Sequence, residues 1–172
     1  NKSCVIYSGG VDTGALMESL LYLYENGYVN DENKDFFPKI AVTVVINKDA
    51  PDLAWVNQGI KRYSSFIQHH HIEIVGTCSD LAKSETDFVV DSLNSFDPMQ
   101  VRNSLVISRA YRVAKEKYNC NIMLTGDGAD ELLGGYSFTW GAQDPKWTNE
   151  RYKMCYEWYF AGHDIAKSLK VF

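Results

Sequence analysis

Short apolar runs alternate along the chain with longer stretches of helical spacing. Residues 3–7 (SCVIY) form the first run and end at Ser8-Gly9-Gly10. A continuous apolar run closed by a glycine turn predicts a strand buried on both faces. Residues 13–24 place Leu16, Leu20, Leu21 and Leu23 at helical spacing, and residues 28–38 are polar and turn-rich. The β-branched run 39–47 (KIAVTVVIN) predicts a second buried strand. A helix is expected over 53–66, a third strand over 71–75 (HIEIV) and a helix with an acidic outer face over 79–93. Val101, Leu105, Val106, Ile107, Tyr111 and Val113 predict a long helix over 98–118, and 121–125 (NIMLT) a fourth strand that again runs into glycines. Residues 150–172 read as a last helix. This alternation predicts an α/β fold, a parallel sheet with helices on both faces. No repeat, low-complexity tract or linker divides the 172 residues, so they read as a single domain over 1–172.

Composition narrows the function. A net charge of −5 argues against nucleic acid as the main partner, because phosphate backbones need a basic face. Cys4, Cys78, Cys120 and Cys155 are far apart with no CxxC pair, as expected of reduced thiols in a cytoplasmic protein. No stretch approaches 18 consecutive apolar residues, so a membrane partner is not expected. His69, His70 and His71 are adjacent, and adjacent side chains diverge on helix and strand alike, so the run reads as strand edge or surface rather than a metal site.

Two glycine-rich loops, each following a predicted strand, carry the chemistry. Ligands of open parallel sheets bind beyond the carboxyl ends of the strands, so both loops can face one crevice. In Ser8-Gly9-Gly10-Val11-Asp12-Thr13, adjacent glycines let backbone N–H groups close on an anion. Ser8 and Thr13 add hydroxyls, and the following helix points its positive end at the same place. Asp12 would repel a bare phosphate and fits a Mg²⁺ ion bridging carboxylate and phosphate. The loop is neither a Walker A sequence nor a GxGxxG fingerprint. In Thr125-Gly126-Asp127-Gly128-Ala129-Asp130-Glu131, three acids within five residues repel one another, and a divalent cation with a polar substrate would offset that. An EF-hand reading fails on ligand spacing.

SGGVDT resembles the SGGxDS pyrophosphate loop of N-type ATP pyrophosphatases, the PP-loop superfamily. LTGDGADELLGGY resembles the signature loop of the asparagine synthetase and β-lactam synthetase group. Ala50-Pro51-Asp52-Leu53 with His70, His71 and Glu73 is similar to that group's SPDL…HHE stretch, and residues 163–170 (HDIAKSLK) to its D-x-x-R-A-N-K helix. The likeness runs from about Ser3 to Phe172. It implies the adenine nucleotide α-hydrolase-like (HUP-type) fold and an ATP-dependent, AMP-forming carbon–nitrogen ligase.

Carried over, the resemblance implies that Ser8, Gly9, Gly10, Asp12 and Thr13 hold the pyrophosphate end of ATP, and that Asp12 and Asp130 bind Mg²⁺. Adenosine would lie along Tyr7, Val45 and Gly126. Lys170 matches the group's catalytic lysine, and Asp127 occupies the place of a catalytic Glu or Tyr that orients or deprotonates the amine. Glu131 would contact substrate or brace the loop, and Arg102 would line the acceptor pocket. The substrates implied are a small-molecule carboxylate, aspartate among them, and ammonia or an amine. The group's glutaminase domain and its later R-V-P-F-L-D segment are not among these residues, so truncation at the C-terminus and a separate amidotransferase partner are expectations. Thr13 replaces the usual Ser, Gly14 weakens the first helical turn, and Asp127 is shorter than Glu. Two other readings stand beside this one: a PP-loop enzyme that adenylates a nucleobase or tRNA, and a non-catalytic nucleotide-binding relative. The aromatic tail, including Trp140, Trp147, Tyr152, Tyr156, Trp158 and Tyr159, either packs on the core or forms a homodimer contact.

Overall fold

Strand β1 (Ser3–Ile6) is the centre of the sheet. It pairs in parallel with β2 (Ile40–Val45) on one side, Val5 opposite Ala41, and with β4 (Ile122–Leu124) on the other, Cys4 opposite Met123. Strand β3 (His69–Ile74) adds to β2, giving the order β3-β2-β1-β4. The computed structural model describes residues 2–133, 135–136 and 160–172. Cys155 and the aromatic positions from Trp140 to Tyr159 lie outside them.

Helix α1 (Val11–Glu25) connects β1 to β2, and α2 (Asp52–Arg62) connects β2 to β3. Helices α3 (Cys78–Leu93) and α4 (Pro98–Tyr118) connect β3 to β4. A short α5 (Ala129–Leu133) follows β4, and α6 spans 160–169. Two features differ from expectation: the second glycine loop turns directly into a helix, and the last helix, expected over 150–172, ends at 169. At the chain's last residue Phe172 N–H donates to Asn121 C=O, and Met123 N–H to Phe172 C=O, so residue 172 pairs with the outer edge of β4.

Side-chain parity explains why the strands read as continuous apolar runs. Cys4, Ile40 and Val42 face one core with Val89 of α3, Tyr111, Val113 and Ala114 of α4 and Ile165 of α6. Val5, Tyr7 and Ala41 face a second core with Met17, Leu20 and Leu21 of α1 and Val56 of α2. Both faces of the sheet are covered, as a parallel sheet with helical crossovers requires. No helix among the described residues is long and apolar enough to cross a membrane.

Local chemistry sets the length of α4. Asp97 caps its start, accepting from Gln100 N–H at 2.8 Å, Pro98 opens it, and Asn119 in the left-handed region (φ 55°) closes it. Against α3, the fully buried Glu85 accepts from Ser108 at 2.6 Å and lies 3.6 Å from Arg112 and 3.8 Å from Arg109.

The histidine run divides by strand parity. His69 and His71 both bond the Tyr118 hydroxyl at 2.8 Å, while His70 faces the other core. The Thr43 hydroxyl donates to the Tyr7 carbonyl at 2.5 Å, so the bond to His70 at 2.8 Å places the proton on His70 Nε2. Burial, with His69 and His71 alongside, holds the His70 imidazole down at about 4. Glu73 bonds Arg109, Lys117 at 2.9 Å and His71 at 3.0 Å. Burial alone would raise its carboxyl, but these three donors outweigh it and hold it at about 2.

Both groups make the fold acid-sensitive, in different windows. The unfolded chain protonates His70 near its ordinary 6.5 and the folded chain only near 4, so stability falls as pH drops between them. Denaturant titrations should show a loss on the order of 2 kcal/mol across that range, absent in His70→Gln. Glu73 contributes above its ordinary 4.5, and that contribution disappears as pH falls towards 2. Glu73→Gln should destabilise the chain at pH 7 by about 2 kcal/mol, because three donors lose a charged acceptor. An unchanged denaturation midpoint would overturn that assignment.

Candidate active site

The strand order places the switch of chain direction between β1 and β4. The connection from β1 leads towards β2 on one side, and β4 arrives from the other, so a crevice opens above their carboxyl ends. The two glycine loops leave from these strands and touch. A Cβ on Gly126 would stand 3.0 Å from Asp12 Cβ, 3.0 Å from Thr13 Cγ2 and 3.1 Å from the Thr13 nitrogen. Only a glycine lets the second loop lie this close to the first.

The first loop is held from both ends. Tyr7 N–H donates to the Val42 carbonyl at 2.9 Å, and its own carbonyl accepts from Thr43, so the residue before Ser8 is anchored to β2. Ser8 and Thr13 hydroxyls lie 3.0 Å apart, and Ser8 Oγ accepts from Gly10 N–H at 3.2 Å. Gly9 (φ 79°) packs where a Cβ would meet Val56 Cγ2 at 2.9 Å. Helix α1 starts at Gly10 with no side-chain cap, unlike α3 and α4. Its first-turn N–H groups are therefore left for a ligand anion or water.

A cavity of about 310 Å³ lies between the loops. Tyr7, Ser8, Gly10, Asp12 and Thr13 line it from the first loop, and Gly126, Asp127, Asp130 and Glu131 from the second. Helix α4 supplies a stripe that the sequence reading missed: Gln100, Asn103, Ser104, Ile107 and Tyr111. Their spacing of three and four residues marked one helix face, but no local motif marked that face as a site. On β2 the lining residue is Val44; Val45, one residue on, is buried and not among the lining residues. Gly9 acts behind the wall, against α2.

A second cavity of about 540 Å³ adjoins the first, and both are lined by Tyr111, Thr125, Asp127 and Gly162. Lys170 lines this second cavity rather than the first. Helix α6 begins beside Asp127, where a Cβ on Gly162 would meet Asp127 Oδ2 at 3.1 Å, and ends at Lys170 (φ 55°). Lys170 stands eight residues beyond Gly162, about 12 Å at 1.5 Å per residue. Arg102 is exposed and lines neither cavity, although its neighbours Asn103 and Ser104 line the first.

Four carboxylates line the first cavity, and no Lys, Arg or His does so among the described residues. Desolvation raises the Asp130 carboxyl, and the charges of Asp12 and Glu131 raise it further. Asp127 is reached by solvent, yet the protein crowded around it still raises its carboxyl, while bonds from Thr125 and Tyr111 pull the other way. Glu131 accepts from the Tyr136 hydroxyl at 2.5 Å. No cluster of three or more His, Cys, Asp or Glu among the described residues forms a complete metal site. Two carboxylates that converge on a phosphate-shaped loop fit a Mg²⁺ ion instead, which takes few protein ligands and completes its shell with phosphate oxygens and water. Asp12 and Asp130 are the pair that would hold it.

The chain is 28% identical over 153 residues to the probable asparagine synthetase [glutamine-hydrolyzing] of Dictyostelium discoideum, covering 88% of this chain and 26% of that protein. It is 25% identical over 146 residues to the asparagine synthetase [glutamine-hydrolyzing] of Rattus norvegicus, covering 84% and 24%, and 24% identical over 145 residues to that of Mus musculus, covering 84% and 24%. The chain thus spans about a quarter of the length of the curated relatives it matches. The family model for asparagine synthase matches residues 3–169, a range that includes both glycine loops and the sheet that brings them together, and the chain belongs to the asparagine synthase family.

Proposed function

We propose that this chain activates a carboxylate with ATP and transfers the acyl group to an amine. The observation that carries the reading is the contact of the second loop with the first at Gly126, which gathers an uncapped helix start and two convergent carboxylates around one cavity. A carboxylate oxygen attacks the α-phosphorus, the bond to the β-phosphate breaks, and pyrophosphate leaves. The amine nitrogen then attacks the acyl carbon, and AMP departs with the bond electrons. Ser8, Gly10, Thr13 and the first-turn N–H groups of α1 bind the pyrophosphate end. Tyr7, Val44 and Gly126 border the nucleoside, and Gly9 fixes the loop against α2. Asp12 and Asp130 hold Mg²⁺, which neutralises phosphate charge when bound.

Asp127, which lines both cavities, takes the amine's proton in this reading. Aspartate is the acceptor to test first. The nitrogen comes from ammonia, a small amine or a separate amidotransferase partner. Lys170, which lines the second cavity with Asp127, neutralises charge on the phosphates and the acyl intermediate, and Arg102 borders the acceptor.

Product analysis decides the reading. With Mg²⁺, ATP, ammonia and a panel of carboxylates, AMP and pyrophosphate should appear with one carboxylate, and Asp130→Ala should lower turnover by roughly a hundredfold or more. ADP and phosphate would overturn the adenylation chemistry. ATP binding without turnover on any carboxylate would favour the non-catalytic relative. A separate prediction tests the loop contact: Gly126→Ala should weaken ATP binding by about tenfold in titration calorimetry, because the new methyl group meets Thr13 backbone and forces the loops apart.

A further inference from the structure

Asp127 is the one carboxylate that both cavities share, and α4 reaches it with a single side chain. The Tyr111 hydroxyl donates to Asp127 Oδ2 at 3.2 Å. Tyr111 is itself buried, at 4% exposure, with its ring in the core between α4 and the sheet. Its hydroxyl is therefore delivered from a rigid helix to a carboxylate on a glycine loop. Gly162 of α6 lies beside the pair: a Cβ there would stand 3.1 Å from Asp127 Oδ2 and 3.4 Å from the Tyr111 hydroxyl oxygen. A larger residue there would crowd the pair, so glycine preserves the contact between the carboxylate and the hydroxyl.

We infer that Tyr111 is a positioning residue for Asp127: its hydroxyl bond fixes the carboxylate at the junction of the two cavities in its ionised, proton-accepting form. The inference rests on the reading of Asp127 as the base. A hydroxyl that donates to a carboxylate stabilises the ionised state and opposes protonation. Here that bond works against crowding and against the negative charge of Glu131, both of which raise the carboxyl. The other charged groups nearby are Asp12 and Asp130, across the first cavity, and His163, Lys167 and Lys170, along the second. None of these bonds Asp127 among the described residues, so Thr125 and Tyr111 supply its side-chain donors. Burial also raises the Tyr111 hydroxyl, so it remains a protonated donor across the working range.

The test is Tyr111→Phe, which keeps the ring and removes the hydroxyl. Carboxyl-carbon NMR of the full chain, with Asp127 assigned from Asp127→Asn, should show the Asp127 titration moving up by about one pH unit. In turnover, kcat should fall about tenfold or more, the KM for ATP should hold, and the acid limb should shift the same way. A purely structural tyrosine would lower the denaturation midpoint and move neither titration nor acid limb. An unchanged Asp127 titration in a folded Tyr111→Phe variant would overturn the inference, whether or not the chain turns over. Full turnover in Asp127→Asn would instead overturn the reading of Asp127 as the base, and the NMR titration would still decide whether Tyr111 holds it.

Discussion

The approach of Gly126 to Asp12 and Thr13 is the constraint on which the rest of the site depends. Gly126 meets Asp12 and Thr13, 114 and 113 residues earlier in the chain, with no side chain of its own between the two loops. Such an approach is open only where β1 and β4 are neighbours in register, and it requires glycine at the point of contact. From it follow the convergence of Asp12 with Asp130, the cavity between the loops, and the exposure of the α1 start to whatever enters that cavity.

Charge is the second organising term. A cavity lined by four carboxylates and no described cation is a poor host for a polyanion alone. The backbone donors at the start of α1 offset part of the repulsion. A divalent cation carried in with the nucleotide would offset the remainder, and the chain needs few ligands for an ion whose other ligands are phosphate oxygens. Desolvation raises the Asp130 carboxyl first, and the charges of Asp12 and Glu131 add the same repulsion to it.

Helix α4 links stability to chemistry. On one side it is clasped by Glu85 of α3, and Arg109 and Lys117 reach Glu73 of β3. On another it presents Gln100, Asn103, Ser104 and Ile107 to the first cavity and Tyr111 to both. A helix fixed at so many points can place a hydroxyl against a loop carboxylate with little freedom, which is what positioning a reacting group requires. The edge strand contributes in the same manner. His70, Thr43 and Tyr7 form a chain of bonds from β3 through β2 to the end of β1, one residue before the first glycine loop.

The sequence by itself determined the elements and the two loops. Continuous β-branched runs can only be strands covered on both faces, Asp97 and Asn119 bracket the long helix, and glycines after β1 and β4 mark tight turns whatever surrounds them. The histidines were legible as strand-edge residues, since neighbours on a strand face opposite ways. Tertiary structure decided what adjacency alone cannot carry. Strand order set β1 beside β4 and so joined the loops. Strand parity put Val44 rather than Val45 at the cavity, and helix phase chose Gln100, Asn103, Ser104 and Tyr111 over Arg102. Helix α6 brings Lys170 to the second cavity, which Asp127 also lines, rather than to the first. Local patterns report the conformation of neighbouring residues, whereas a site assembled from several elements depends on packing between residues far apart in the chain.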